Sequence, residues 1–308
     1  MSRICNFPIS KSKRCKQPVA DGKPDCGRHK IFATHSDATV DIMAQPVFID
    51  EDPPLAKQTD DGRFYALPGT GDYTFPSVTN VVSRMFPGDR DNLERWQARQ
   101  AVDYVLQQIG NNSTDRAIFA DDLMDDVIEW QHRAATRGSK IHKALQAALQ
   151  PDVERPALSA DEDAATQRVL NWLKNDILHV IGCEMTVFKD DPKFAGTLDL
   201  MYVDKNKLIT LADYKTGRSV HHGKWAAQLS AEKHADLLCV DSKKCVPMPK
   251  IDRVLVLQPT EWGKSLKIHD LTECMEQVWD EFKIAAHQVA ACRNIMRSIT
   301  ASARVTTA

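Results

Sequence analysis

The side chains of this sequence best suited to chemistry are two carboxylates and a lysine, Asp199, Asp213 and Lys215, each beside residues of strand character. Carboxylates bind hard divalent cations such as Mg²⁺ or Mn²⁺ through oxygen, and such a cation lowers the pKa of a bound water. A neighbouring lysine can orient that water or balance charge on a phosphate. These residue types therefore indicate metal-assisted hydrolysis.

Three predicted strands and a helix must position these groups. The strands are apolar runs separated by polar loops: residues 184–188, 197–203 and 208–212. Asp199 and Asp213 are each predicted to end a strand. Side chains two residues apart on a strand share one side, so Asp213 and Lys215 are expected to face one cleft, with Tyr214 turned away.

The order of motifs resembles the PD-(D/E)XK nuclease superfamily in its RecB-like exonuclease branch. Gly196-Thr197-Leu198-Asp199 matches G-x-x-D, Asp213-Tyr214-Lys215-Thr216 matches D-x-K-T, and Gln228 follows on a predicted helix. The resemblance covers roughly residues 63–290 and implies an α/β, restriction-endonuclease-like core with a mixed central sheet flanked by helices. It implies Asp199, Asp213 and the Tyr214 carbonyl as ligands of a catalytic Mg²⁺ or Mn²⁺, with Lys215 and Gln228 as catalytic residues.

A glycine lies inside the helix predicted at about residues 121–149, in Arg137-Gly138-Ser139-Lys140-Ile141-His142. Glycine in a helix interior costs roughly 1 kcal/mol relative to alanine, so Gly138 indicates either a break or the close approach of another segment. A single helical histidine is most often structural. The RecB-like branch, however, has G-[TS]-x-x-H at this place, which implies His142 as a metal ligand and Ser139 near the DNA.

Several further residues have both a functional and a structural interpretation. The superfamily often has an acidic metal ligand near the position of Glu184, at the start of the first predicted strand, which implies that Glu184 contacts the metal directly or through water; the alternative is a solvent-facing strand end. Phe75-Pro76-Ser77-Val78-Thr79 resembles the opening of phage and mitochondrial-type RecB-like exonucleases, which implies Ser77 and Thr79 near the DNA backbone; Ser77 is equally a helix N-cap. The pair His221-His222 either contacts DNA or lies on the surface. Glu232 stands where the family pattern Q-x-x-x-Y has tyrosine.

The first 32 residues contain a possible set of zinc ligands: Cys5, Cys15, Cys26 and His29. Because protein donors would fill all four positions, this Zn²⁺ site would be structural. The segment is too short and too polar to build a core, so the ion would supply folding energy. The alternative is a disordered basic tail with incidental thiols. The basic residues of this N-terminal segment could contact nucleic acid or another protein.

The predicted organisation has three parts: a zinc-stapled head at 1–32, an acidic Pro-containing linker at 33–62 and a nuclease domain at 63–300 with a helical N-terminal insertion. Further helices are expected at 92–109, 161–180 and 271–298, and further strands at 252–258 and 265–269. The five cysteines beyond the head have no metal-ligand spacing, so no iron–sulfur cluster is expected: Cys183, Cys239, Cys245, Cys274 and Cys292. Most are expected to be buried thiols.

Composition is that of an ordinary globular protein, with 308 residues, 43% of them hydrophobic, and a net charge of −2. No apolar run approaches the roughly 18 to 20 residues that span a bilayer, and the N-terminus has no apolar signal-peptide core. These features predict no membrane partner and a cytoplasmic location in a bacterial or phage-infected cell.

The leading hypothesis is a metal-dependent DNA exonuclease that hydrolyses phosphodiester bonds in replication, recombination or repair. Its expected partners are single-stranded or end-bearing DNA and a recombination or replication protein. One alternative is a catalytically silent nucleic-acid-binding module of the same fold, and another is an endonuclease subunit of a larger complex. A silent module would have lost an acid or the lysine, whereas Asp199, Asp213 and Lys215 are all present.

Overall fold

The fold is described from a computed structural model. The description covers residues 55–59, 62–87, 135–150, 152–240, 244–260 and 263–302, with four short strands near the N-terminus. Those strands pair antiparallel as β1 with β4 and β2 with β3: β1 Arg3–Ile4, β2 Pro8–Ser10, β3 Lys13–Arg14 and β4 Pro18–Val19. The predicted zinc ligands lie outside the described residues: Cys5, Cys15, Cys26 and His29.

A seven-stranded mixed sheet forms the centre of the described chain, in the order β12-β11-β8-β9-β10-β13-β14. Its strands are β8 Ile177–Lys189, β9 Phe194–Asp204, β10 Ile209–Tyr214, β11 Leu237–Cys239, β12 Cys245–Pro247, β13 Arg253–Thr260 and β14 Ser265–Asp270. Only β10 and β13 pair in parallel; the other neighbours in this sheet are antiparallel. The predicted three-stranded meander is confirmed as β8–β9–β10, and the predicted late hairpin as β13–β14.

Helices cover both faces of this sheet: α1 Val78–Met85, α2 at residues 135–149, α3 Ala160–Asp176, α4 His222–Lys233 and α5 Met275–Ser302, the last after a 3₁₀ turn at Thr272–Cys274. On one face α2 and α3 bury Ile141 and Val169. On the other face α4 and the start of α5 bury Leu229 and Met275. The protein is therefore α/β with a mixed central sheet between helices, as predicted. None of the helices in the described ranges has both the length and the apolarity to cross a bilayer.

A small three-stranded sheet lies beside β9 and leads into α1. Its strands are β5 Ala56–Thr59, β6 Gly62–Tyr65 and β7 Phe75–Pro76. Ser77 then forms a parallel bridge with Ala195 of β9, and its hydroxyl accepts a hydrogen bond of 3.0 Å from the Asn80 N–H. The N-cap interpretation of Ser77 is confirmed. The predicted irregular linker at 33–62 is wrong for its last residues, because Ala56–Thr59 forms a strand that pairs with β6.

Helix α3 begins and ends at residues with clear local causes. Ser159 and Glu162 form a capping box, in which each side chain bonds the backbone N–H of the other. The helix was predicted to reach residue 180 but stops at Asp176. The β-branched Ile177 and Val180 instead pair with β9, opposite Asp204 and Tyr202, because strand pairing outweighs weak helix propensity. The helix predicted at 92–109 and the first part, up to residue 134, of the helix predicted at 121–149 lie outside the described residues.

The later cysteines differ from the prediction of buried thiols. Cys239 and Cys245, directly opposite each other on β11 and β12, form a disulfide. Both are fully buried, so the burial was predicted and the bond was not. Cys183 is a buried free thiol, Cys274 is partly buried and Cys292 is exposed.

Candidate metal and catalytic site

Three acidic residues lie side by side on the three strands of the meander. Met185 of β8 pairs with Leu198 of β9, which places Glu184 opposite Asp199 in the antiparallel register. Asp213 comes one residue after the last β9–β10 pair, at the point where the third strand ends. The sheet thus brings together acids that are well separated in sequence, as the meander predicted.

Glu184 and Asp199 lie inside their strands, so the predictions that Glu184 begins a strand and that Asp199 ends one are wrong. The residues flanking each acid pack on opposite faces of the sheet: Cys183 and Met185 on β8, and Leu198 and Leu200 on β9. In a regular strand such residues share a face. The regular alternation of side chains between the two faces of the sheet is therefore interrupted at each acid, on both strands. Glu184 itself has a left-handed backbone, with φ of 51°, a conformation that costs free energy in a residue other than glycine.

His142 reaches these acids from helix α2. Its neighbour Ile141 is fully buried under the helix, which fixes the helical face that His142 presents. His142 Nδ1 lies 3.4 Å from Asp199 Oδ2 and 4.0 Å from Glu184 Oε1. The ligand atoms of His142, Glu184 and Asp199 all lie within 4.8 Å of one another. We call these three residues the metal trio, because their donor atoms are close enough that they could hold one metal ion.

Gly138 allows α2 to lie against the segment that follows Lys215. A Cβ atom at Gly138 would stand 3.2 Å from the Thr216 hydroxyl oxygen, tighter than ordinary van der Waals contact. Residues 135–149 are helical throughout. Of the two explanations for this glycine, the close approach of another segment is therefore correct and the helix break is wrong.

Burial and mutual repulsion shift the pKa values of the metal trio. Burial, followed by the charge of Asp199, raises the pKa of Glu184 to about 8. Burial alone would lower the pKa of His142, but the Asp199 and Glu184 carboxylates raise it to about 9. The His142 imidazolium in turn holds the pKa of Asp199 below its usual value, against the effect of burial. Without bound protons the cluster would carry excess negative charge, so it retains protons or favours another positive charge.

Lys215 and Asp213 face the same side, as predicted. Lys215 Nζ lies 2.9 Å from Asp213 Oδ1 and 2.8 Å from Oδ2, and it donates to Gln228 Oε1 at 3.2 Å. Gln228 Nε2 donates to Asp213 Oδ1 at 3.1 Å. The Tyr214 ring packs into the core on the opposite face. The three polar groups form one closed hydrogen-bonded unit beside the metal trio.

Asp213 belongs to this unit and is not one of the three residues whose donor atoms converge. Burial raises its pKa to about 6, opposed by the Lys215 ammonium. Burial would lower the pKa of Lys215, but Asp213 and Asp199 raise it, so the lysine is a cation. Metal ligation by Asp213 stays a prediction.

Tyr214 connects the two halves of the site through its backbone. Its N–H donates to Asp199 Oδ2 at 2.7 Å, and its carbonyl oxygen, the predicted metal ligand, lies 3.0 Å from His142 Nε2. The peptide therefore orients an acid and the histidine of the metal trio. Ligation by the carbonyl itself stays a prediction.

The predicted DNA-contacting residues lie in different surroundings. Ser77 is buried and its hydroxyl caps α1, whereas Thr79 and Ser139 are exposed. The Ser139 hydroxyl donates to the Ala135 carbonyl at 3.1 Å. His221 and His222 are both exposed, as the surface interpretation predicted, and His222 Nε2 lies 2.9 Å from His269 Nδ1. DNA contact by any of these residues stays a prediction.

Sequence reasoning gave Glu232 no role, yet it belongs to the site. Its Oε1 accepts a hydrogen bond of 3.0 Å from Gln228 Nε2, and only 1% of the residue is exposed. The signal was available in the sequence, because residues four apart on a helix lie on one face.

Comparison of the chain with profiles of known protein families found no match, and comparison with curated proteins found none either. The interpretation of the site therefore depends on the motifs and geometry described above.

Proposed function

We propose that this chain is a metal-dependent DNA exonuclease of the PD-(D/E)XK superfamily, RecB-like branch, with a restriction-endonuclease-like core. The observation that supports this most directly is the convergence of His142, Glu184 and Asp199 within 4.8 Å beside the Asp213–Lys215 pair. These residues come from a helix and three neighbouring strands, and they are the ones that the motif resemblance names.

The donor set fits a hard divalent cation. Two carboxylates and one imidazole supply oxygen and nitrogen ligands of the kind that Mg²⁺ and Mn²⁺ accept. The raised pKa values of Glu184 and His142 support the same conclusion, since a proton is held where a cation would satisfy the excess negative charge. His142, Glu184 and Asp199 would hold the ion, with Asp213 as a further ligand. The Tyr214 carbonyl, the other predicted ligand, would first have to leave its contact with His142 Nε2.

A divalent cation in this position would lower the pKa of a water and stabilise negative charge on phosphoryl oxygens. The side chains of the chain then have separate tasks. Lys215, held by Asp213 and Gln228, presents an ammonium that orients the attacking water or neutralises a phosphate oxygen. The Tyr214 N–H and carbonyl keep Asp199 and His142 in place, and the buried strands limit their movement.

Several features of the proposal concern the substrate and the partners. The motif resemblance supports single-stranded or end-bearing DNA as substrate. The N-terminal segment is proposed to bind a structural Zn²⁺ through Cys5, Cys15, Cys26 and His29, and to contact DNA or a recombination or replication protein. The cytoplasm of a bacterial or phage-infected cell is the proposed location.

The proposed function is tested with end-labelled linear and circular single-stranded DNA, incubated in Mg²⁺, Mn²⁺ or a chelator. Degradation of the linear strand alone, and only with metal, is expected. Asp213→Ala and Lys215→Ala should each lose at least about 100-fold in rate. The matched controls are Asp280→Ala and Lys283→Ala, since these residues form an acid–lysine pair of 2.7 Å on the surface of α5. Degradation of the circle would contradict the need for an end, and undiminished activity in chelator would contradict the metal mechanism.

A further inference from the structure

Glu232 lies on the same face of α4 as Gln228, one helical turn further along. It is 1% exposed, and its Oε1 lies 3.0 Å from Gln228 Nε2. A Cβ atom at Gly196 would lie 2.9 Å from the Val78 side chain but at an ordinary contact distance of 3.7 Å from Glu232 Cγ, so the missing side chain there makes room for Val78.

Glu232, together with Asp213 and Lys215, fixes which way the Gln228 amide points. The amide nitrogen has two protons, and Asp213 Oδ1 and Glu232 Oε1 accept one each, at 3.1 Å and 3.0 Å. The amide oxygen is thereby directed at Lys215 Nζ, 3.2 Å away. The reversed amide would place its oxygen against the Asp213 carboxylate and its NH₂ group against the Lys215 ammonium, which is electrostatically unfavourable.

Stability alone does not explain a carboxyl group at this position. Glu232 Oε2 is buried and has no hydrogen-bond partner among the described residues. A buried polar atom without a partner destabilises the folded state relative to an apolar side chain of similar size. A side chain that destabilises the folded state but holds a catalytic group in place is expected to contribute to the reaction by positioning that group.

We propose that Glu232 is a positioning residue that holds the Gln228 amide, and through it the Lys215 ammonium, beside the metal trio. This inference rests on the proposed function, because it assigns Glu232 to the same reaction. Burial, followed by the charge of Asp213, raises the pKa of Glu232 well above its usual value, so its uncharged carboxyl group resembles a carboxamide.

The test compares Glu232→Gln with Glu232→Leu. The glutamine keeps an acceptor for Gln228 and should keep kcat within about twofold of wild type. The leucine removes the acceptor and should lower kcat by about 10-fold to 100-fold, the usual effect of losing a residue that orients a ligand or catalytic group. Its Tm should be equal to or above that of wild type. Glu281→Leu, the same change at an exposed position of α5, is the control and should leave kcat unchanged.

Any of three results would overturn the inference. Glu232→Leu could keep the wild-type kcat, or Glu232→Gln could lose as much kcat as Glu232→Leu does. In the third, the Tm of Glu232→Leu falls together with its kcat, which marks a structural role. The side-chain amide signals of Gln228 in ¹⁵N NMR spectra provide a readout that needs no activity. They should shift in Glu232→Leu and stay in place in Glu232→Gln; unchanged signals in both would refute the contact. A wild-type chain that degrades no DNA refutes the proposed function, and the amide signals then decide on Glu232 alone.

Discussion

His142 contacts Tyr214 at two points: Nε2 lies 3.0 Å from the Tyr214 carbonyl oxygen, and the two rings meet edge to face with centroids 5.5 Å apart. A carbonyl oxygen accepts hydrogen bonds and cannot donate them, so Nε2 carries a proton. Nδ1 is then directed at the carboxylates of Asp199 and Glu184. This nitrogen is the one left for a proton or, in the proposed site, for a metal ion, because the Tyr214 carbonyl engages the other nitrogen.

Metal binding should therefore release protons. The pKa of His142 is about 9 and that of Glu184 about 8, so a cation that enters at neutral pH displaces the protons held there. The affinity for Mn²⁺ should rise by up to about tenfold per pH unit for each proton displaced, between pH 6 and 9. Isothermal titration calorimetry in buffers of different ionisation enthalpy counts these protons. Affinity that does not change over this range would contradict the assignment of His142 and Glu184 as ligands.

Without metal, the protein should lose stability as the pH rises. The folded-state pKa of His142 is raised from 6.5 to about 9, so its contribution is complete below pH 6.5 and is lost as the pH passes through 9. The pKa of Glu184 is raised from 4.5 to about 8, so folding favours its protonated form and this contribution disappears between those values. The Tm in chelator should fall from pH 6 to 9.

Differential scanning calorimetry of Glu184→Gln in chelator, and of the wild-type protein with Mn²⁺, separates the causes of this fall in Tm. Glu184→Gln removes one titrating group and should lose part of the pH dependence, while added Mn²⁺ should reduce it because the ion replaces the protons. A Tm that rises between pH 6 and 9 in chelator would refute the account of the excess negative charge.

Asp199 and Asp213 should have different effects on metal affinity. Asp199→Asn keeps an acceptor for the Tyr214 N–H but removes the charge at the centre of the metal trio, and should weaken Mn²⁺ binding by about 100-fold or more. Asp213→Asn should weaken it less, because Asp213 is held by Lys215 and Gln228. Calorimetric titration of both variants measures the difference, with the exposed Asp270→Asn as control. A larger loss in Asp213→Asn than in Asp199→Asn would reverse the assignment of the two acids.

Gly196 should be required for the packing of α1 on β9. A Cβ atom there would lie 2.9 Å from Val78 Cγ2, a distance that forces movement in a close-packed region. Gly196→Ala should therefore destabilise the protein by about 1–3 kcal/mol. Gly217→Ala is the matched control, since nothing lies within 4 Å of a Cβ atom at that glycine. Chemical denaturation measures both, and equal stability of the two variants would contradict the packing argument.

The local geometry of the site was predictable from periodicity. Alternation along a strand placed Asp213 and Lys215 on one side, and the run of apolar segments gave the meander that carries the acids. Whether α2 brings His142 to these acids could not be derived from periodicity, because that contact depends on packing between distant segments. The motif resemblance alone pointed to it, and the closeness of Gly138 to Thr216 supplies the physical reason.

Other features had no reliable local signal. The switch of sides at Glu184 and Asp199 depends on how two paired strands pack against both helical layers. The early start of β8 at Ile177 depends on pairing with β9, which outweighs the helical pattern of the preceding residues. The Cys239–Cys245 bond follows from the register of two short strands, which spacing alone does not reveal.

Anomalous diffraction from crystals of the full chain grown with Mn²⁺ tests the central claim most directly. We predict an anomalous peak within ligand distance of His142 Nδ1 and of carboxylate oxygens of Glu184 and Asp199, with Lys215 beside it. Crystals with Mn²⁺ bound elsewhere in the chain, and no peak among these three side chains, would contradict the account.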